Sequence, residues 1–166
     1  MSQLEPKKIK KGVALSGVNA GQTSVCTVGH TGNDLHYRGY DIIELAEKCS
    51  FEEVAHLLIY GELPNQQQLK IYLAKLKKVR DLPHELKLVL ENIPKNTHPM
   101  DVMRTGCSML GTLEPESNER NIDQARNIAD RLISSFGSML IYWYKYSHEG
   151  IKLNLNTNED TIAGHF

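Results

Sequence analysis

Apolar residues recur along this chain at two different spacings, and the change falls near residue 41. Before it, Ser24 to Val28 and Leu35 to Tyr37 are short stretches containing β-formers. Between them lies Gly29-His30-Thr31-Gly32-Asn33-Asp34, whose Gly, Asn and Asp accept turn and left-handed conformations. The pattern predicts a small β-hairpin. Beyond residue 41 the apolar positions return every three or four residues, the period of a helix.

Start and stop signals divide the second region into helices. Asp41 with Glu44, Ser50 with Glu53 and Asn65 with Gln68 have the three-residue spacing at which side chains satisfy the orphan amides of a first turn. They predict a helix beginning with Ile42, Ile43, Leu45 and Ala46, and a second from Phe51 to Tyr60 with a Val54, Leu57, Leu58 stripe, stopped by Gly61 and Pro64. A third carries Leu69, Tyr72, Leu73 and Leu76 on one face and Lys70, Lys75, Lys77 and Lys78 largely on the other. Pro83 suits the first turn of a fourth, ending near Asn92 and closed off by Pro94. Pro99 opens a fifth, with Met100, Met103, Cys107 and Leu110 at core spacing.

After a polar loop, Glu114 to Asn121, comes a longer pattern. Ile122, Ala125, Ala129, Leu132, Phe136, Met139 and Trp143 predict a single helix of more than twenty residues. Asp123, Arg126, Asp130 and Arg131 are expected to face outward from its first half. Its second half is apolar or small on every side and must be covered all round. A polar loop from Leu153 to Asp160 follows, with Asp160 reading as the cap of a further helix at Thr161-Ile162-Ala163. The expected fold is mainly all-α with a small β-hairpin near the N-terminus. It divides into a flexible arm at 1–11, a hairpin and loop region at 12–40, and a helical part at 41–166. A helix that opens six residues before the last one, beside a helix apolar all round, leads to the expectation that part of the fold lies outside these 166 residues.

Charge narrows the function classes. The 19 Lys and Arg are balanced by 20 Asp and Glu, giving a net charge of -1, so the field that draws proteins onto nucleic acid or anionic lipid is missing. The strongest apolar run, Leu132 to Tyr144, is shorter than the roughly 18 residues of a membrane span and carries Ser134, Ser135 and Ser138. No nucleic-acid or membrane partner is expected, and the polar, basic start of the chain lacks the apolar core of a secretory signal. Cys26, Cys49 and Cys107 are far apart and odd in number, which argues against a zinc site or a disulfide framework. They read as reduced thiols of a cytoplasmic protein.

Candidate chemistry is sparse. The seven histidines form no helical metal-binding pair, and His148-Glu149 stands alone before Gly150. The series Gly12, Gly17, Gly21 lacks the spacing and the Lys of a phosphate loop. Cys107 sits on an apolar stripe, the place of an inert core thiol. Arg38, in Tyr37-Arg38-Gly39-Tyr40, could present its guanidinium to a phosphate or carboxylate; it also reads as a surface Arg stacked on Tyr40 or paired with Asp41. His98 before Pro99 reads as a helix cap, and Tyr142-Trp143-Tyr144-Tyr146 as core and interface.

Six stretches taken together carry more than any of these residues alone: VALSGVNAGQTSVCTVG at 13–29, GNDLHYRGYDI at 32–42, FEEVAHLLIYGELP at 51–64, HPMDVMRTG at 98–106, YWYKYSHEG at 142–150 and the terminal AGHF. In this order they resemble the N-terminal part of the citrate synthase family, closest to its 2-methylcitrate synthase branch. The resemblance implies the large helical domain of an all-α, two-domain homodimer. That enzyme condenses an acyl-CoA with oxaloacetate, propionyl-CoA in the methylcitrate branch and acetyl-CoA in the citrate branch. A carboxylate removes the α-proton, a histidine hydrogen-bonds the thioester carbonyl, and the acyl-CoA intermediate is hydrolysed. It needs no cofactor and no metal, the acyl-CoA being a substrate. The family's two catalytic histidines and aspartate lie in its second half, so no catalytic position transfers to this chain, which is expected to be inactive alone. Arg38 aligns with a family arginine connected here to the phosphates of coenzyme A, and His98 and Arg104 match the family pattern as shaping residues. A helical interaction module, in which Leu132 to Tyr146 docks on a partner such as the complementary half of the enzyme, is the reading from a different class.

Overall fold

The computed structural model describes residues 21–28, 34–115 and 121–166. The expected arm at 1–11, the first two of the Gly12, Gly17, Gly21 series and most of the expected hairpin turn lie outside the described residues. Among the described residues three short strands, β1 (Cys26–Val28), β2 (Leu35–Tyr37) and β3 (Tyr40–Asp41), form one antiparallel sheet in that order. Cys26 lies opposite Tyr37, Val28 opposite Leu35, and Tyr37 opposite Tyr40. The strand β3 is an addition to the expected hairpin. Arg38 and Gly39 link β2 to β3 with φ of 51° and 90°, and positive φ at both central residues is the pattern that matches a tight turn to the twist of its strands.

Among the described residues seven helices follow: α1 (Ile42–Lys48), α2 (Phe51–Tyr60), α3 (Gln66–Lys78), α4 (His84–Glu91), α5 (Pro99–Leu113), α6 (Ile122–Glu149) and α7 (Ile162–His165). Their starts are chemical. Asp41 Oδ1 accepts from the amides of Ile43 and Glu44, and Ser50 with Glu53 and Asn65 with Gln68 close complete capping boxes. Pro83 stands just before α4 rather than within its first turn. His98 Nδ1 accepts from the Met100 amide at 3.1 Å, so this histidine is a cap, as read from the sequence. Gly61 and Gly150, at φ of 98° and 71°, end α2 and α6 in the left-handed conformation. Thr161, not Asp160, caps α7, because Asp160 is turned toward Lys77.

Two cores share α6. The larger joins Leu82, Leu86 and Leu90 with Val102 and Leu110 of α5, and with Met139, Tyr142 and Trp143 of α6. Leu155, on the segment after α6, closes it. The smaller gathers Ala55, Tyr72 and Leu76, with Tyr60, Ile133 and Ile162 packed against them.

Two inward faces differ from expectation. On α5 the buried positions are Val102, Gly106 and Leu110, while Met100 is 69% exposed and Cys107 half-buried. Gly106 explains the rotation: a Cβ there would stand 2.9 Å from Met139 Sδ, so the helices meet at the glycine. On α6 the buried set is Asp130, Ser134, Ser135, Ser138, Met139, Tyr142 and Trp143, whereas Ile122 and Phe136 face out. Small serines let neighbouring elements approach where larger apolar residues would hold them off. The second half of α6 is not covered all round, since Phe136 and Tyr144 remain 41% and 46% exposed.

Candidate functional site

Arg38 is placed by the turn between β2 and β3. One guanidinium nitrogen donates to Ser24 Oγ at 2.9 Å and the other to the Leu58 carbonyl near the end of α2 at 3.1 Å. Nε is buried without a hydrogen-bond partner among the described residues. The side chain thus ties the sheet to α2, an arrangement different from stacking on Tyr40 or pairing with Asp41. Two of its donor groups already have acceptors, and a phosphate ligand would enter by exchange with Ser24 or by reaching Nε.

The densest polar cluster lies elsewhere, and the sequence reading missed it. Asp130, expected to face outward, is fully buried between α2, α3 and α6. It accepts from the Tyr60 hydroxyl at 2.6 Å, the Tyr72 hydroxyl at 2.9 Å and Lys75 Nζ at 2.5 Å. Lys75 Nζ also donates to Tyr60 Oη and to Asn127 Oδ1. Burial acts to lower the Lys75 pKa, but the bonds to Asp130 and Tyr60 outweigh it and raise it. Burial first, and then the bond to Asp130, push the Tyr72 and Tyr60 hydroxyls well above the ordinary phenol range. His56 completes the group, stacked on Tyr60 at 4.7 Å with Nδ1 2.9 Å from the Glu62 carbonyl. Each member has its partner, so the cluster is built to hold three helices together rather than to turn over a substrate. Nothing in the spacing of Asp130 announces it, because its partners stand 55 to 70 residues away.

The remaining candidates are scattered. Arg104 is exposed and pairs with Asp101 one turn back at 3.1 Å. Arg131, also expected outward, is largely buried, donating to the carbonyls of Val79 and Asp81 and pairing with Glu114. Cys107 lines a cavity of about 270 Å³ between α5 and α6, with Leu110, Glu114, Ile128, Arg131 and Leu132. Burial raises its thiol pKa, which suits an unreactive thiol. All three cysteines are free. His148 stacks on Tyr144 at 4.3 Å, and its neighbour Glu149 pairs with Lys145. Among the described residues no three His, Cys, Asp or Glu side chains converge on a point where a metal could sit. No helix there is long and apolar enough to cross a membrane.

Comparison with known proteins places this architecture. A family model described as "Citrate synthase, C-terminal domain" matches residues 14–166. The chain is 52% identical over 155 residues to the 2-methylcitrate synthase of Shewanella oneidensis, a match covering 93% of this chain and 40% of that protein. Among solved structures, the citrate synthase of Thermotoga maritima superposes with a TM-score of 0.72 at 35% identity, covering 89% of this chain and 37% of that one. A citrate synthase of Thermoplasma acidophilum, solved with carboxymethyl coenzyme A and oxaloacetate, gives the same TM-score at 22% identity over 79% of this chain and 34% of its own, and speaks for the fold alone. The chain therefore spans about two fifths of the length of the Shewanella relative. Family match, sequence identity and helical architecture agree, and this chain belongs to the citrate synthase family.

Proposed function

We propose that these residues are the N-terminal helical part of a 2-methylcitrate synthase of propionate catabolism. The enzyme joins propionyl-CoA to oxaloacetate, with water, to give 2-methylcitrate and free coenzyme A. The observation that carries this reading is the 52% identity to the Shewanella 2-methylcitrate synthase across almost the whole chain. The N-terminal position rests on the order of the motifs from residue 13 to AGHF, and not on the name of the family model, which speaks of a C-terminal domain. The full enzyme works as a cytoplasmic homodimer and takes its acyl-CoA as substrate, without cofactor or metal. Proton abstraction and thioester polarisation come from the family's second half, so the 166 residues alone do not turn over.

In this reading Arg38 contacts a phosphate of coenzyme A by exchanging its bond to Ser24, and His98, as the cap of α5, keeps that helix in place. The decisive experiment follows release of the coenzyme A thiol from propionyl-CoA and from acetyl-CoA with oxaloacetate. It is run on the chain alone and with the unmatched part of the Shewanella relative supplied as a second polypeptide. Turnover is expected only in the mixture and fastest with propionyl-CoA. Turnover by the chain alone would refute its dependence on the second half, and a preference for acetyl-CoA would move the assignment to a citrate synthase of the tricarboxylic acid cycle. In the active mixture Arg38→Ala is expected to raise KM for acyl-CoA about tenfold, the loss of one charge-assisted contact.

One observation favours the reading as a helical interaction module. Phe136 and Tyr144 stand exposed on α6 two turns apart, within the Leu132–Tyr146 stretch marked for docking. Binding of the second polypeptide without any turnover would support it.

A further inference from the structure

Residues 154–166, after α6, are held to the body of the protein by polar bonds, some of which lead to one histidine. Arg80, two residues beyond α3, is only 6% exposed, and its hydrogen bonds go to this segment: to the carbonyls of Thr157 at 2.6 Å and Glu159 at 2.7 Å, and to Thr157 Oγ1 at 2.9 Å. Thr157 Oγ1 lies 3.0 Å from His165 Nδ1, and His165 Nε2 lies 3.0 Å from Oγ of the fully buried Ser138. The buried Glu52 of α2 accepts from the Ile162 amide at 2.8 Å, and Lys77 holds the Asn158 carbonyl and Asp160.

Arg80 has only hydrogens to give, so it donates to Thr157 Oγ1. The Thr157 hydroxyl keeps one hydrogen and one lone pair, so it can donate to an unprotonated His165 Nδ1, the arrangement in which the ring proton sits on Nε2 facing Ser138. We propose that the chain Arg80, Thr157, His165, Ser138 is a pH-sensitive latch, in which protonation of His165 Nδ1 releases the 154–166 segment from α2, α3 and α6.

The surroundings favour the neutral ring. Arg80 and Asp81 face it from the loop after α3. Lys77 on α3 is occupied by Asp160, Glu159 lies on the segment itself, and Glu52 on α2 is committed to the Ile162 amide. α6 offers Ser134, Ser135 and Ser138 at this level, and no charge. Burial first, and then Arg80, hold the His165 pKa below its ordinary value, with Asp81 opposing. A proton added at Nδ1 would abolish the acceptor of Thr157 and place a second cation beside a buried guanidinium. Because the folded pKa is depressed, the latch contributes in full above about pH 6.5, the ordinary histidine value, and is lost as the pH falls through the folded one.

The test uses the intact chain with nitrogen-15 in its histidines. At pH 7.5 the His165 ring is expected to carry its proton on Nε2. Amide exchange at Ile162 and His165, corrected for the intrinsic pH dependence, is expected to accelerate at least tenfold between pH 7.5 and 5. In His165→Gln, which cannot titrate, the acceleration should vanish. In Arg80→Gln the segment should exchange fast at both pH values while the amides of α4 and α5 stay protected. A proton on Nδ1 at pH 7.5, exchange at Ile162 indifferent to pH, or an acceleration that survives in His165→Gln would each overturn the latch.

Discussion

The two cores of this protein are built on different physics although they share one helix. Around Leu86, Leu90, Val102 and Met139 the side chains are apolar and 0% exposed, and the stabilisation grows with the area taken from water. Around Asp130 the contacts are directional, and a buried carboxylate is tolerated because two hydroxyls and an ammonium surround it. The first kind of core loses energy in proportion to the atoms removed. The second fails when a single partner leaves, since the charge that remains has no water to turn to.

Substitutions can press on that contrast. Asp130→Ala is expected to have the largest effect, about 3–5 kcal/mol lost from unfolding in urea, because Lys75, Tyr60 and Tyr72 are stranded together; a loss under 1 kcal/mol would show that water replaces the carboxylate and that the polar core is no special case. Leu86→Ala in the apolar core should cost about 2–4 kcal/mol, with a calorimetric transition that stays cooperative. Gly106→Ala should cost about 1–2 kcal/mol: its Cβ meets the flexible end of Met139 rather than backbone, and pairing it with Met139→Ala should recover part of the loss.

The smallest signal is spectroscopic. The folded-state pKa values of Tyr60 and Tyr72 are raised, so their contribution is fully present below the unfolded phenol value near 10 and fades as the pH climbs past it. Absorbance near 295 nm should therefore show these two hydroxyls ionising only with unfolding. Early ionisation of all seven tyrosines of the chain would place the polar core in contact with solvent.

Local chemistry was legible in the sequence and register was not. The caps at Asp41, Ser50, Asn65 and His98 could be read because donor and acceptor lie within three residues of each other. The buried faces of α5 and α6 were harder, since both helices carry apolar residues on adjoining stripes. The choice between Val102 and Met100, or Met139 and Phe136, depends on which neighbour approaches. Asp130 was misread by the rule that charges face water, which holds only when no distant partner is at hand. Arg38 was singled out for its guanidinium, but its acceptors, Ser24 and Leu58, come from elements whose meeting only the fold reveals. The family, by contrast, was legible from ordered motifs alone, and the family match over residues 14–166 agrees with it.

The 28 residues of α6 form a continuous shaft, about 42 Å long at the rise of an α-helix. One end is fixed in the ionic knot and the other in the hydrocarbon core. A shaft gripped at two distant points carries torque, so loosening either grip is felt as a change of tension at the other. The ionic and the apolar halves of the molecule are thereby expected to melt as a single unit, the weaker grip setting the temperature at which the stronger one lets go.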